Sequence, residues 1–317
     1  MIYDCFCFYN ELDMLEIRLN ILDKVVDQFV LVEATKTHAG FEKKLYFEEN
    51  KARFVRFLPK IIHVVTDDFK SYSTSWGYEN HQRNDCVKGL SGIKPDDVVI
   101  LSDVDEIPNP QKIIQFKDYP GIKLFEQDMF YYYLNYRNDT CPKWKLGSRM
   151  FHWKDFSKES HVNFSEYFVE EANLGATMTR MRWVHPDKVI SKGGWHFSYC
   201  GGTDFIINKI KSFAHQEYNN FSILDAEKIN KIIASGKDIL NRDYTYSVVP
   251  LNEEFPEYIR ENKCKYSNII RQMNFWEVQK YKLHTLGSTV LKLVLILLSI
   301  LIPYKSWRKK ICSIYKK

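Results

Sequence analysis

The segment Val98-Val-Ile-Leu-Ser-Asp-Val-Asp-Glu-Ile-Pro108 carries the clearest structural and chemical signal in the chain. Its first four residues form a short, wholly apolar run that is typical of a buried strand. The run leads into Asp103, Asp105 and Glu106, and Pro108 ends it. Because side chains at positions i and i+2 of an extended chain point the same way, Asp103 and Asp105 are predicted to converge on one divalent cation. Carboxylate oxygens suit Mg²⁺ or Mn²⁺, and ions bound in this way often also hold substrate phosphates.

The crowding of acids in this segment is a second reason to expect a cation. Three carboxylates at one strand end repel one another strongly when they are unpaired. The alternative is a solvated acidic turn, or a helix N-cap at Asp105. An Asp-x-Asp pattern alone does not exclude that alternative, but its position after an apolar strand favours the metal site.

The hundred residues up to this segment alternate strand and helix patterns. Strands are predicted at 2–9, 28–33, 61–65 and 98–101, and helices at 11–22, 48–58 and 79–90. This alternation predicts an α/β fold with a mostly parallel central sheet flanked by helices, in which ligands bind at the carboxyl ends of the strands. Further helices are predicted at 211–216 and 224–234.

Composition excludes some classes of partner. The 317-residue chain is 45% hydrophobic and 27% charged, as is ordinary for a folded enzyme. Its net charge is +5, but 303–317 contains six basic residues and no acid, so the rest of the chain carries about −1. No nucleic-acid partner is therefore expected. Seven scattered cysteines and a start without a secretory signal favour a reduced, cytoplasmic compartment.

The C-terminal segment has a different character. Residues 290–302 are apolar apart from Lys292 and Ser299, and a basic tail follows. The run is shorter than the roughly 20 residues that span a bilayer, so an apolar helix at a membrane surface is expected, peripheral or C-terminally anchored. A helix packed on the body is the alternative. The predicted organisation is a catalytic domain over 1–260, a connection over 261–282 and this apolar and basic segment over 283–317.

Several segments together resemble glycosyltransferase family 17. They are Asn10-Glu11, Gln82-Arg83-Asn84, Ser102-Asp-Val-Asp-Glu-Ile-Pro108, Gly194-Trp-His-Phe-Ser198 and Lys211-Ser-Phe-Ala-His-Gln-Glu217. The resemblance covers roughly residues 1–260 and implies a GT-A-like, Rossmann-like fold. It also implies a UDP-sugar donor, with N-acetylglucosamine favoured, and an inverting transfer to a β-linkage. The acceptor is expected to be a glycan or a lipid-linked glycan, and the cofactor Mn²⁺ or Mg²⁺.

The residues expected to contact the donor are indicated by their position near the early strands or by the resemblance. They are Tyr9, Asn10, Glu11, Glu33, Arg83, Asp103 and His215. Arg83 suits a phosphate because guanidinium groups bind phosphates with two hydrogen bonds. An exposed strand-end acid is the alternative for Glu33, and a surface salt bridge for Arg83.

The expected metal ligands are Asp103, Asp105 and His196. His196 resembles a late histidine that completes the metal shell in several GT-A enzymes, and a core histidine is its alternative. An inverting transfer needs a carboxylate base for the acceptor hydroxyl. Glu217 and Asp204 are ranked ahead of Asp128 for this role. Three aromatic residues are candidate sugar platforms, or core residues: Trp144, Trp195 and Tyr199.

Two other functions are compatible with the acidic pair. The first is another metal-dependent phosphoryl enzyme, a nucleotidyltransferase or hydrolase. A glycine-rich phosphate loop would favour it, but Gly40 is the only glycine before Gly77 and no Gly-Lys-Ser/Thr motif occurs. The second is a non-catalytic membrane-bound scaffold, which has no need for clustered acids.

Overall fold

A computed structural model of the chain describes residues 1–70, 72, 74–156, 177–219, 223–279 and 281–283. Residues 1–247 and 251–271 form one compact unit. The second unit comprises residues 248–250 and 272–317, and 275–279 and 281–283 within it are helical. Almost all of the predicted apolar and basic segment lies outside the described residues, so the division at 260 and 282 stays a prediction. In the described part of the chain, no helix has the length and apolarity needed to cross a membrane.

The described residues form the following strands and helices. The strands are β1 (Ile2–Phe8), β2 (Gln28–Ala34), β3 (Ile61–Thr66), β4 (Val98–Asp103), β5 (Glu106–Pro108), β6 (Lys123–Tyr131), β7 (Tyr136–Asn138), β8 (Lys143–Trp144), β9 (Arg149–His152), β10 (Lys188–Ser198) and β11 (Tyr246–Val248). The helices are α1 (Leu12–Leu22), α2 (Tyr46–Glu49), α3 (Ser75–Asn84), α4 (Pro110–Phe116), α5 (Trp153–Phe156), α6 (Met178–Trp183), α7 (Gly202–Ser212), α8 (Ala226–Ala234) and α9 (Glu257–Glu261).

The first four strands form the parallel part of the sheet, in the order β3-β2-β1-β4. The apolar residues of β1, β2 and β4 are largely buried, as expected of strands covered on both faces, whereas β3 at the edge is partly exposed. Cys7 is in register with Asp103, and Phe8 with Glu33. The predicted α/β class is confirmed, and the carboxyl ends of β1, β2 and β4 meet at one edge.

The later strands extend this sheet with mixed pairing. β9 is antiparallel to β4 and to β6, whereas β10 is parallel to β6 and antiparallel to the short β5. The sheet as a whole is therefore mixed: β1 to β4 form its all-parallel part, and β6 and β10 form a further parallel pair. Gly194 makes the β10–β5 pairing possible, because its φ is +140° and a Cβ there would lie 2.1 Å from the Ile107 carbonyl oxygen. The pairing sets His196 opposite Glu106.

Two predicted helices are wrong. The helix predicted at 48–58 is broken into α2 and 3-10 turns at Lys51–Phe54 and Leu58–Lys60. Asn50 leaves helical geometry, with φ −115° and ψ 15°, and Pro59 has no N–H for a helical hydrogen bond. The helix predicted at 211–216 is instead the end of α7, because Phe213 is extended at ψ 174°. The helix predicted at 224–234 is confirmed by α8.

Candidate functional site

The acidic segment lies at the carboxyl ends of the parallel strands, as predicted. Asp103 ends β4 with 34% of its side chain exposed. Asp105 and Glu106 are buried. These three carboxylates therefore sit largely out of water and need compensating charge.

Protein cations supply much of that charge at Asp103. Arg83 on α3 donates to Oδ1 at 2.6 Å, and Arg182 on α6 donates to Oδ2 at 2.8 Å. Burial acts to raise the pKa of Asp103, but the charges of Arg182 and Arg83 outweigh it and hold that pKa well below its usual range. Arg83 forms the salt bridges of its alternative interpretation, but at 3% exposure they are buried and not at the surface, and its role at a phosphate stays a prediction.

Glu106 belongs to the same network and has no exposed surface. Its carboxylate accepts two hydrogen bonds from Arg182, at 2.8 and 2.9 Å, and one from the indole nitrogen of Trp144 at 2.7 Å. It also accepts from the Asp103 backbone N–H at 3.1 Å. Glu106 is thus saturated with donors and fixes the turn rather than facing a ligand. The indole nitrogen of Trp144 is used in this network, and a sugar-stacking role for its ring stays a prediction.

Asp105 faces different partners. Its Oδ2 accepts from Lys209 Nζ on α7 at 3.0 Å, and its Oδ1 lies 3.6 Å from His196 Nε2. The other ring nitrogen of His196 is buried and has no hydrogen-bond partner among the described residues. Lys209 also lies 3.6 Å from Glu11, which follows β1. Asp105 is therefore the acid of this segment that pairs with a lysine, Lys209, which lines a pocket.

A buried arginine supports the backbone of the segment. Arg18 on α1 forms a bidentate pair with Asp4, at 2.6 and 2.8 Å, and both side chains are fully buried. Its Nη1 donates to the carbonyl oxygens of Asp103 at 2.9 Å and Glu106 at 2.8 Å, and Nη2 donates to Ser102 Oγ. Arg18 thereby ties α1 and β1 to the turn after β4.

A pocket of about 90 Å³ opens beside Asp105. Its lining comprises Tyr9, Glu11, Lys36, Thr37, His38, Lys43, Gln82, Lys209, Ser212 and Phe213. Glu11 accepts hydrogen bonds from the backbone N–H groups of Tyr9 and Asn10 at 3.2 and 3.1 Å, which orders the turn after β1. The volume is below the roughly 300–1,000 Å³ of complete small-molecule sites, so the pocket fits one end of a longer ligand.

Glu33 lies beneath this pocket rather than at the surface. It has no exposed area, accepts from the Phe47 backbone N–H at 3.0 Å and lies 3.2 Å from His63 Nε2. The alternative of an exposed acid is wrong. Lys43 Nζ lies 3.9 Å from Glu33, and burial lowers the pKa of Lys43 to about 8 although Glu33 and Glu11 act to raise it.

The candidate bases are dispersed. Glu217 is exposed and pairs with His215 Nδ1 at 2.7 Å, in a 3-10 turn after α7. Asp204 is exposed in the first turn of α7. Asp128 on β6 is engaged in a salt bridge with Lys143. The three carboxylates therefore remain alternatives for the role of the base.

The remaining aromatic candidates are mostly buried. Trp195 is 8% exposed and donates to the Glu254 carbonyl oxygen at 2.9 Å. Tyr199 is 5% exposed and stacks on Tyr131. Both rings contribute to packing, and a sugar-stacking role for them stays a prediction.

Of the three predicted metal ligands, Asp105 and His196 are placed to hold a divalent ion, whereas Asp103 has other partners. Two ligands at about 2.1 Å from one ion lie no more than about 4.2 Å apart, and the 3.6 Å between Asp105 and His196 meets that limit. Both Asp103 oxygens, by contrast, accept from guanidinium groups. Among the described residues, the three ligand atoms found within 4.8 Å of one another belong instead to Asp68, His81 and Asp85. Lys88 pairs with both aspartates of that group, so the charge of these carboxylates is already balanced by a lysine.

Sequence reasoning missed the residues that organise the site: Arg18, Arg182 and Lys209. They come from α1, α6 and α7, far apart along the chain. No local pattern distinguishes Arg182 or Lys209 among 45 lysines and arginines. For Arg18 one signal was present, since an arginine amid the leucines of an amphipathic helix, opposite an aspartate in an apolar strand, indicates a buried pair.

The fold and site define an α/β protein with a lysine-lined pocket next to an acidic turn, at the carboxyl edge of the parallel part of the sheet. The chain belongs to glycosyltransferase family 17, whose sequence profile matches residues 1–177. It is 32% identical over 120 residues to the β-1,4-mannosyl-glycoprotein 4-β-N-acetylglucosaminyltransferases of Homo sapiens and Rattus norvegicus. That match covers 35% of this chain and 22% of each relative, so the chain aligns with about a fifth of their length.

Solved structures show only a remote similarity. Staphylococcus aureus TarS, residues 1–349, is 14% identical with a TM-score of 0.37, and the match covers 74% of this chain and 72% of that one. Glucosyl-3-phosphoglycerate synthase of M. tuberculosis is 13% identical with a TM-score of 0.31, over 63% and 72% of the two chains.

Proposed function

We propose that this protein is a metal-dependent glycosyltransferase that moves a sugar from a UDP-sugar to a glycan acceptor, inverting to a β-linkage. Membership of family 17 supports the reaction class. Its similarity to β-1,4-mannosyl-glycoprotein 4-β-N-acetylglucosaminyltransferases favours N-acetylglucosamine as the sugar. The observation that carries the proposal is the pocket after β1, whose lining residue Lys209 donates to Asp105 Oδ2 at 3.0 Å, with His196 3.6 Å from the other oxygen of Asp105.

The donor is proposed to lie across this pocket and the acidic turn. The pocket takes the nucleoside, with Tyr9 and Lys43 in its lining. The diphosphate then extends towards Asp105 and His196, which would hold Mn²⁺ or Mg²⁺, with Asp103 as the further predicted ligand. The ion would neutralise charge on the departing diphosphate. Arg83 and Arg182 keep Asp103 ionised in that setting.

Transfer also needs a base for the acceptor hydroxyl. Glu217 is proposed first, because its carboxylate is exposed and is held by His215. Asp204 is the second candidate, and Asp128 the third because Lys143 already pairs with it. The acceptor is proposed to be a glycan or a lipid-linked glycan.

UDP binding with and without Mn²⁺, measured by isothermal titration calorimetry, tests the donor site. The expected result is Mn²⁺-dependent binding of UDP that Asp105→Asn weakens by about tenfold or more, as expected for loss of one charged ligand. Asp118→Asn is the matched control, since Asp118 is a surface acid paired with Lys117. Equal UDP affinity in excess chelator would contradict the metal part of the proposal, and no UDP binding at all would contradict the donor.

Residues 283–317 are further proposed to hold the protein at a membrane surface. Support comes from the apolar run at 290–302 with its basic tail and from the exposed Phe275 and Trp276 upstream. Aromatic residues and lysines commonly lie at the level of lipid headgroups. Deleting 286–317 should abolish flotation with anionic vesicles while UDP binding is kept. Undiminished flotation of the truncated protein would overturn this proposal.

A further inference from the structure

Lys209 occupies the space between two carboxylates of the proposed donor site. Its Nζ lies 3.0 Å from Asp105 Oδ2 and 3.6 Å from Glu11 Oε1, and 18% of its side chain is exposed. The same residue lines the pocket after β1. Part of the negative charge of Asp105 is therefore compensated by the protein itself.

We propose that Lys209 is a movable cation of this site, with two partners in turn. In the empty site it competes with the divalent ion for Asp105. When ion and donor are bound, it leaves Asp105 and binds the donor diphosphate. This inference rests on the proposed function and adds to it a donor-binding residue that sets the order of ion and nucleotide binding.

The geometry of Asp105 supports the competition. Its two oxygens face different partners, His196 on one side and Lys209 on the other. An ion held by Asp105 and His196 would share its carboxylate with an ammonium group, and the two cations repel each other. A unit charge at about 4–6 Å changes the proton affinity of a carboxylate by one to three log units. A change of the same order is expected in the affinity of the carboxylate for a metal ion.

The side chains of the site differ in their freedom to move. Arg182 is buried and bound to both Asp103 and Glu106, and Arg83 is buried between Asp103 and Glu79. Lys209 has a flexible four-carbon stem and compact charge, whereas guanidinium groups are rigid forks. Lys209 is thus the cation of this group that is suited to exchange partners.

A diphosphate is the natural second partner. The lining of the pocket includes Lys36 and Lys43 beside Lys209, which favours an anionic ligand over a neutral one. A phosphate oxygen next to Asp105 would offer Nζ a new charge-assisted hydrogen bond in place of the one to Oδ2. Glu11, 3.6 Å away, keeps the ammonium near the pocket during the exchange.

The test compares Lys209→Met, which removes the charge, with Lys209→Arg, which keeps it. Lys211→Met is the matched control, because Lys211 is an exposed lysine on the same helix. Mn²⁺ binding without nucleotide is measured by electron paramagnetic resonance, and UDP binding at saturating Mn²⁺ by calorimetry. Lys209→Met should bind Mn²⁺ about tenfold more tightly and UDP about tenfold more weakly, while Lys211→Met stays within about threefold of the wild type for both ligands. Lys209→Arg keeps the charge that competes with the ion, so its Mn²⁺ affinity should also stay within about threefold of the wild type.

The opposite signs separate this role from a structural one, because a destabilised site would bind both ligands less well. Unchanged or weaker Mn²⁺ binding by Lys209→Met overturns the inference, as does unchanged UDP binding. If the wild type binds Mn²⁺ and UDP together, these outcomes leave the proposed function standing. A wild type that binds no UDP overturns the proposed function and the inference together.

Discussion

Arg18 Nη1 donates a hydrogen bond to the backbone carbonyl oxygen of Asp103 at 2.9 Å, although the two residues are 85 positions apart in the chain. Through the same guanidinium, the turn after β4 is connected to α1 and to the buried Asp4 of β1. The acidic segment is thus positioned by its backbone, and its carboxylates remain available to other partners.

Arg18→Met is expected to destabilise the protein by about 3–5 kcal/mol, because it leaves the Asp4 charge buried and unpaired. Urea denaturation measures the free energy of unfolding. Arg56→Met is the control, since Arg56 is 69% exposed and pairs with Asp23 at the surface. It should change that free energy by less than about 0.5 kcal/mol. A similar small change for Arg18→Met would show that the pair contributes little.

The two aspartates of the acidic pair should differ in what their loss does. Asp105→Asn removes a proposed ion ligand and should lower kcat about 100-fold or more. Its stability loss should be the smaller of the two, because Lys209 keeps Glu11 as a charged partner at 3.6 Å. Asp103→Asn should lower kcat too, and also destabilise the fold, because Arg83 and Arg182 then lose a charged partner. Sugar transfer from a UDP-sugar and thermal unfolding are the measurements. Equal stability losses for the two variants would contradict this distinction.

Variants of the three candidate bases should identify the one that acts. Glu217→Gln is expected to lower kcat by about 100-fold or more, in the range of general base catalysis, with unchanged KM for the donor. Asp204→Asn and Asp128→Asn should retain most activity. If Asp204→Asn or Asp128→Asn is the inactive variant and Glu217→Gln is active, Glu217 is not the base and the substituted aspartate takes that role.

Lys123 gives the stability of the fold a pH dependence. Burial lowers the pKa of Lys123 to about 8 although Asp155, Asp187 and Asp118 act to raise it. The unfolded chain therefore holds its proton more tightly, so stability should rise as pH increases from about 8 to about 10.5. Comparison with Lys123→Met isolates this contribution. At about 1.4 kcal/mol per pKa unit, the wild type should gain up to about 3 kcal/mol relative to the variant. If the free energy of unfolding depends on pH in the same way in both proteins, the pKa of Lys123 is not lowered and the prediction is wrong.

The parallel half of the fold was predictable because its signals are local. The apolar strands 2–9, 28–33, 61–65 and 98–101 each sit between turn or helix patterns, and every one is present. The prediction of a helix at 48–58 failed because Asn50, inside that range, leaves helical geometry. The sequence does not predict the start of the helix at 202–212, because Gly201 is its N-cap and Gly202 its first residue, and glycine is a poor helix former.

The amino-acid sequence by itself determined the α/β class, the family, and the position of Asp103 and Asp105 at a strand end. These follow from periodicity and short-range pattern, which depend on neighbours along the chain. Only the tertiary structure decided the partners of each carboxylate: Arg83 and Arg182 for Asp103, and Lys209 and His196 for Asp105. Charges act through space over a few ångströms, so residues 20 to 104 positions apart become partners once folding brings them together.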